Sequence, residues 1–306
     1  MQCPVACVLP AQGNSGGRVR QRGRGQKTEG GGVMGIDPIG YKPWNGQRSA
    51  KHERILVISW KLFMSKMKNK WMIGLLVLGY IGVFAFPIIL YSLMPHEVLD
   101  GLTMSEQLGN GLFFMFTVLL ASLVCSDSIS EDLRNNSFVL YFSRAIGTKS
   151  YLAGKMGGVF FVLALFCFFP PIIMALAILG TQSGSDYLSG LGILGLTVLT
   201  SLVTTVFLIP FSVLVSSLTK RKTHAAIGTF MTFTVLAIIS SIFSEFDRNW
   251  NLMNPGSMLA YFYDWIFGVG IPHSINGPVL AAAFCAFIIV PLALVYLRIH
   301  QRRIGK

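Results

Sequence analysis

The sequence predicts an all-α integral membrane protein with six transmembrane helices. An amphipathic helix precedes the first of them, and a helical or re-entrant outer loop precedes the last. Of the 306 residues, 53% are hydrophobic and only 12% are charged, and soluble domains carry about twice that charged fraction. The apolar residues form long runs, and almost all charges lie in the gaps between them. Those gaps are alternately rich and poor in Lys and Arg.

Residues 1–50 are predicted to be a disordered basic tail, since they are rich in Gly and Arg and show no hydrophobic period. A short apolar stretch comes before the basic run, which is the reverse of the order in a signal peptide. We favour a translation start at Met34, so that residues 1–33 are not translated. The alternative is a basic arm that binds RNA or lipid.

Residues 51–71 are predicted to form an interfacial amphipathic helix. At about 100° per residue, the apolar side chains fall in an arc roughly 120° wide, and the basic ones lie opposite. This pattern beside a membrane span is typical of a helix in the headgroup plane. The alternative is a plain basic extension of the first span. The apolar face consists of Leu56, Val57, Trp60, Phe63, Met64, Met67 and Trp71.

A six-span transmembrane domain is predicted over residues 72–298, because six apolar segments approach the ~20 residues that cross a bilayer. None has an acidic or basic residue in its interior, which argues against proton-coupled transport and voltage sensing. The segments are Met72–Met94, Leu108–Cys125, Gly157–Leu179, Leu191–Leu218, Ala225–Phe243 and Pro278–Leu297.

Lys and Arg concentrate before the first span, after the second, after the fourth and in the tail 299–306. The remaining loops hold only Arg248. By the positive-inside rule, both termini are predicted to be cytoplasmic and the chain to lie in the cell membrane. The same rule accounts for the net charge of +12 without nucleic acid as a partner.

The loop before the last span contains an aromatic, apolar run between Met253 and Ile271, bounded by Pro and Gly. It is too short to cross the membrane. Two interpretations are open: a re-entrant or interfacial helix pair, and a helical outer loop resting on the bundle.

Catalytic machinery is not predicted. A P-loop needs GxxxxGK[ST], and the sequences around Lys27 and Lys155 lack parts of it. The five cysteines form no CxxC pair, so neither a metal site nor a disulfide framework is indicated. We therefore expect no cofactor on this chain.

A stripe of hydroxyl side chains runs along the fourth span at helical spacing and includes Thr197, Thr200, Ser201 and Thr204. Such a stripe can join helices through hydrogen bonds, which is the interpretation we favour. The alternative is that it lines a translocation path or a dimer interface.

The cytoplasmic stretch 126–155 lies between the second and third spans. Ser128 or Ser130 can cap a short helix with Glu131 and Asp132 in its first turn. An apolar run and a basic turn follow. The stretch could be a docking element for a partner or a plain solvated connector.

The same stretch resembles the first cytoplasmic loop of type-two, export-type ABC permeases. Asn136-Ser137 stands where that family has Gly-Thr, and Ala145 stands where it has Pro. The matching residues are Glu131, Ser137, Leu140, Ser143, Arg144, Ile146, Tyr151, Leu152, Gly154 and Lys155.

The resemblance covers residues 51–300 and implies the membrane subunit of an ATP-driven exporter. Such a subunit pairs with a second permease copy, identical or different, and two cytoplasmic ATPase subunits bind the ATP. Glu131, Asp132, Leu133 and Arg134 would contact the ATPase. The competing hypothesis is a membrane scaffold or assembly factor that needs no ATPase. Nothing in the sequence indicates a substrate.

Overall fold

The computed structural model describes residues 51–93, 101–137, 146–181, 187–270 and 275–304, and every regular element in those ranges is a helix. The predicted tail 1–50 lies outside the described residues. The α-helices are α1 (Lys51–Met67), α2 (Lys70–Gly79), α3 (Phe86–Leu93), α4 (Gly101–Gly109), α5 (Gly111–Cys125), α6 (Ser130–Arg134), α7 (Thr148–Thr181), α8 (Tyr187–Leu218), α9 (Lys222–Phe243), α10 (Pro255–Ile266) and α11 (Gly277–Ile304).

In the part of the chain that the structure describes, six helical segments are long and apolar enough to cross a membrane, which confirms the predicted all-helical six-span fold. Their bounds differ most from the predicted ones in the second segment, which ends at Arg134 rather than at Cys125, and in the third, which begins at Thr148 rather than at Gly157. The second segment includes the apolar helix α5 and the short helix α6, and we call α5 the second span. The segments are Lys70–Ile89, Gly111–Arg134, Thr148–Gly180, Tyr187–Leu218, Lys222–Phe243 and Gly277–Gln301.

The first span begins at a capped turn and contains a wider, π-helical turn. The Asn69 side chain accepts a hydrogen bond from the backbone N–H of Trp71, which starts α2. The π-helical turn Tyr80–Ala85 joins α2 to α3. The Gln107 Nε2 donates to the carbonyl of Val83 in this turn over 2.8 Å, so the turn is tied to α4.

One part of the core lies where the first three spans meet around Phe166, which is fully buried. The rings of Phe84 and Phe113 lie 6.1 and 5.8 Å from it, and the Tyr80 ring stacks on it at 5.8 Å. A Cβ at Gly79 would lie 2.7 Å from Phe166 Cε2. Only glycine therefore allows the first span this close to the third.

The fifth and sixth spans are the least covered, and 17% of each apolar window is buried. Large apolar side chains such as Met231, Ile238 and Ile289 are exposed along them. In a multi-pass membrane protein these faces meet lipid or a partner rather than water.

Among the described residues between the fifth and sixth spans, a 3-10 turn at Arg248–Met253 is followed by the short α-helix α10. The Asn254 side chain caps α10 by accepting from the N–H of Gly256, and Pro255 occupies the first turn. The Ser105 Oγ donates to Asp264 Oδ1 over 2.5 Å. This arrangement fits a helical loop resting on the bundle.

Candidate functional site

The site is the segment 126–137 that follows the second span, and the end of the fourth span holds its start. Ser216 Oγ accepts hydrogen bonds from the backbone N–H groups of Ile129 and Ser130, each over 3.3 Å. The same hydroxyl donates to the carbonyl of Ser126. The first N–H groups of a helix have no intrahelical acceptor, so Ser216 supplies one at the start of α6.

Asp132 is the buried anchor of this segment. Its Oδ2 accepts a hydrogen bond from the Tyr151 hydroxyl over 2.6 Å and lies 2.8 Å from Lys155 Nζ. Tyr151 and Lys155 are four residues apart on α7 and so share one face of it. The Lys155 Nζ also lies 5.8 Å from the centre of the Tyr151 ring. The first turns of the third span are thus joined to α6 through a buried ion pair.

Helix α1 is joined to the same segment through Lys66. The Lys66 Nζ lies 2.6 Å from Asp127 Oδ1 and donates to the carbonyl of Leu123 over 2.9 Å. Lys66 belongs to the basic face predicted for the amphipathic helix, yet only 11% of its side chain is exposed. This lysine is therefore a structural link within the subunit.

Close packing of α1 on α7 fixes the position of that link. The Ser59 hydroxyl donates to the carbonyl of Gly154 over 2.8 Å. A Cβ at Gly158 would lie 2.8 Å from Leu62 Cβ and 2.9 Å from the Ser59 carbonyl oxygen. Small residues allow this approach, as they do where helices touch closely in membranes.

The helix α6 ends in a left-handed residue. Asn136 has φ of 51°, and the N–H of Ser137 donates to the carbonyl of Asp132 over 3.0 Å. This is the Schellman arrangement, in which Gly is favoured and Asn is the usual second choice. Asn136 can therefore adopt the left-handed conformation at the position where the resembled family has Gly.

The structure separates the four predicted docking residues into two pairs. Glu131 and Arg134 are exposed, whereas Asp132 and Leu133 are buried at 7% and 5% exposure. Asp132 and Leu133 can therefore support the segment but do not offer their side chains to a partner. The apolar run from residue 138 to residue 145 lies outside the described residues.

The hydroxyl stripe of the fourth span is buried within the subunit. Thr197 and Thr200 donate to carbonyls of their own helix, and Ser201 Oγ has no hydrogen-bond partner in the part of the chain that the structure describes. Thr204 Oγ1 lies 2.6 Å from the Tyr263 hydroxyl of α10. Burial raises the pKa of Tyr263, so this phenol stays neutral and can donate. These contacts favour helix packing, and a translocation path or dimer interface stays a prediction.

Sequence reasoning missed the partners that hold the segment: Lys66, Tyr151 and Ser216. The spacing of Tyr151 and Lys155 by four residues was one available signal, because it places both on the helix face next to the loop. Ser216 lies at the end of the hydroxyl stripe nearest the loop. No local pattern distinguishes Lys66 from the other lysines of α1.

A family model described as ABC-2 family transporter protein matches residues 56–303. The match covers most of α1, all six spans and the segment 126–137. No curated protein gives a significant match.

Proposed function

The chain belongs to the ABC-2 family of transporter proteins, and we propose that it is the membrane subunit of an ATP-driven exporter. Separate ATPase subunits bind the ATP and dock on the segment after the second span. The permease role follows from the family and from six apolar helices. The docking site, the export direction and the coupling to ATP are the proposal.

The observation that carries the proposal is the anchoring of α6 to three other helices. Asp132 joins it to the third span, Ser216 joins it to the fourth, and Asp127 just before it pairs with α1. A force applied to α6 is thereby passed to three helices as a rigid-body displacement, the kind of motion that drives switching in transporters. A plain solvated connector would not need these buried contacts.

The exposed tip of α6 supplies the docking contacts. Glu131 and Arg134 carry opposite charges and lie at the surface, so a partner with the complementary pair can bind in one orientation. The buried side chains of Leu133 and Asp132 support this exposed part of α6 from the interior of the protein. The docking surface in this proposal therefore consists of Glu131 and Arg134.

Two ATPase subunits and a second permease copy complete the proposed assembly, with identical or different permeases. In this proposal both termini lie in the cytoplasm and the protein lies in the cell membrane, and the Lys and Arg residues at the ends of the spans support the orientation. Helix α1 lies in the headgroup plane, and the exposure of Leu56, Val57 and Trp60 supports this position.

The proposal is tested by purifying the tagged full chain from its native membranes and quantifying co-purified P-loop ATPases by mass spectrometry. The test variant is Glu131→Lys with Arg134→Glu, which keeps the net charge. We expect recovery of the ATPase to fall at least about tenfold, since reversed charges across an interface cost several kcal/mol. Asp132 is not used, because its reversal would break the buried pair with Lys155.

The matched control reverses one acidic and one basic exposed residue elsewhere, Glu245→Lys with Lys220→Glu. It should co-purify as much ATPase as the unaltered chain. Equal recovery with the Glu131/Arg134 variant would remove the docking assignment. Absence of any P-loop ATPase from the unaltered preparation would favour the scaffold hypothesis.

A further inference from the structure

A groove of about 1050 Å³ opens at the end of the molecule where the first and fifth spans begin. The junction of α1 and α2 forms one wall, and the end of α5 and the first turn of α9 form the other. Its lining includes Ser126 and Asp127, the first two residues of the segment 126–137, but not Glu131 or Arg134.

One half of the groove is positively charged. Lys70 and Lys222 line it, both side chains are exposed, and each is the first residue of a membrane span. Lys66 and Asp127 also line it, but they form an ion pair with each other. Among the described residues no acidic side chain forms an ion pair with Lys70 or Lys222. The unbalanced charge of the groove is therefore positive.

The other half is apolar. Leu75, Leu78 and Leu123 line it, and Trp71 stands at its mouth with 88% of its surface exposed. Trp and Lys at the start of a span mark the level of the lipid headgroups. A molecule in this groove thus meets two cationic side chains at headgroup level and a hydrocarbon wall below them.

We propose that the groove binds an anionic phospholipid. Its phosphate lies between Lys70 and Lys222, and one acyl chain lies along Leu75 and Leu78. Lysines near an anionic lipid surface attract it, and the apolar wall requires a chain that a free phosphate lacks. A second copy of the protein fits less well, because it brings the same unpaired lysines to the contact and Asp127 is already engaged. This inference does not depend on the docking proposal.

The test uses the full chain purified in detergent and incubated with equal amounts of phosphatidylglycerol and phosphatidylcholine, with bound lipid counted by native mass spectrometry. The unaltered protein should retain phosphatidylglycerol preferentially. Lys70→Gln with Lys222→Gln should lose about 25-fold in affinity for it, since each lysine near an anionic surface contributes about fivefold. The control, Lys61→Gln with Lys149→Gln, removes the same charge from exposed sites outside the groove and should bind as the unaltered chain does.

A second variant tests the apolar half without changing charge. Gly74 lines the groove, and a Cβ there would meet nothing within 4 Å, so Gly74→Trp fills the groove while the helix is kept. It should also reduce bound phosphatidylglycerol. Equal retention of both lipids by the unaltered chain, or undiminished phosphatidylglycerol in either groove variant, would overturn the proposal. A disulfide cross-link between two copies of the Leu78→Cys variant in phosphatidylglycerol nanodiscs would also overturn the proposal. That result would assign the groove to the contact between two permease copies.

Discussion

The Nζ of Lys155 lies 2.8 Å from Oδ2 of Asp132, and this pair joins the third span to the short helix after the second. The Tyr151 hydroxyl donates to the same carboxylate oxygen. A buried carboxylate with two partners holds α6 in one orientation, because breaking either contact leaves a desolvated charge.

Asp132→Asn is expected to destabilise the protein by about 3–5 kcal/mol, because it leaves the Lys155 ammonium buried without its counter-charge. The free energy of unfolding can be measured in mixed micelles with increasing dodecyl sulfate. The exposed neighbour provides the control, and Glu131→Gln should change stability by no more than about 0.5 kcal/mol. Lys155→Met combined with Asp132→Asn should recover part of the loss, and a double variant as unstable as the summed singles would refute the pairing.

Ser216→Ala is expected to loosen the start of α6 and to cost about 1–3 kcal/mol, because two buried N–H groups lose their acceptor. Amide hydrogen exchange at Ile129 and Ser130 should become faster. The adjacent Ser217 is equally buried, but its hydroxyl donates to Leu214 of its own helix. Ser217→Ala should therefore leave exchange at α6 unchanged, and equal exchange in the two variants would contradict the role of Ser216.

Gly158→Val is expected to push α1 away from the third span. The added side chain would meet Leu62 and the carbonyl oxygen of Ser59, and overpacking of this kind costs about 1–3 kcal/mol. A lower melting temperature in detergent measures the effect. Gly192→Val on the fourth span is the control, since a Cβ there meets nothing within 4 Å. Similar melting temperatures for both variants would show that the close contact is unimportant.

Thr204 and Tyr263 should be energetically coupled. Their hydroxyl groups lie 2.6 Å apart, and hydrogen bonds between membrane helices contribute about 0.6 kcal/mol on average and at most about 2. A double-mutant cycle with Thr204→Val and Tyr263→Phe measures this coupling. The same cycle with Thr197→Val should give none, because Thr197 donates to Ile193 of its own helix. Coupling of equal size in both cycles would count against a specific bond.

The six spans could be predicted because long apolar runs are a strong signal that tertiary contacts rarely override. The start of the third span could not, since Lys149 and Lys155 lower the apolarity of its first turns. In those turns Lys155 forms an ion pair with Asp132 across the loop, and a contact between helices produces no periodic pattern in the sequence of either helix. The helix α10 could be predicted in outline, because an aromatic, apolar run lies there between Pro and Gly residues.

The position of the segment 126–137 could be predicted from its acidic turn and its resemblance to the family loop. Which of its residues are buried and which are exposed could not be predicted. Glu131 and Asp132 are adjacent in the sequence and chemically alike, yet one is exposed and the other buried. Which of them points inward depends on where Tyr151 and Lys155 lie in space. The helical spacing of the hydroxyl stripe predicts that it forms one face of the fourth span. Its burial could not be predicted, because it depends on how the neighbouring helices cover that face.

The π-helical turn at Tyr80–Ala85 changes which residues of the first span face lipid. A turn that contains one additional residue rotates everything after it by about 100° relative to an uninterrupted α-helix. A helical wheel drawn from Lys70 therefore assigns the wrong neighbours to Phe86 and Ile89. Removal of one residue from this turn would keep a continuous helix, but the part of the span after Ala85 would turn a different face to its neighbours.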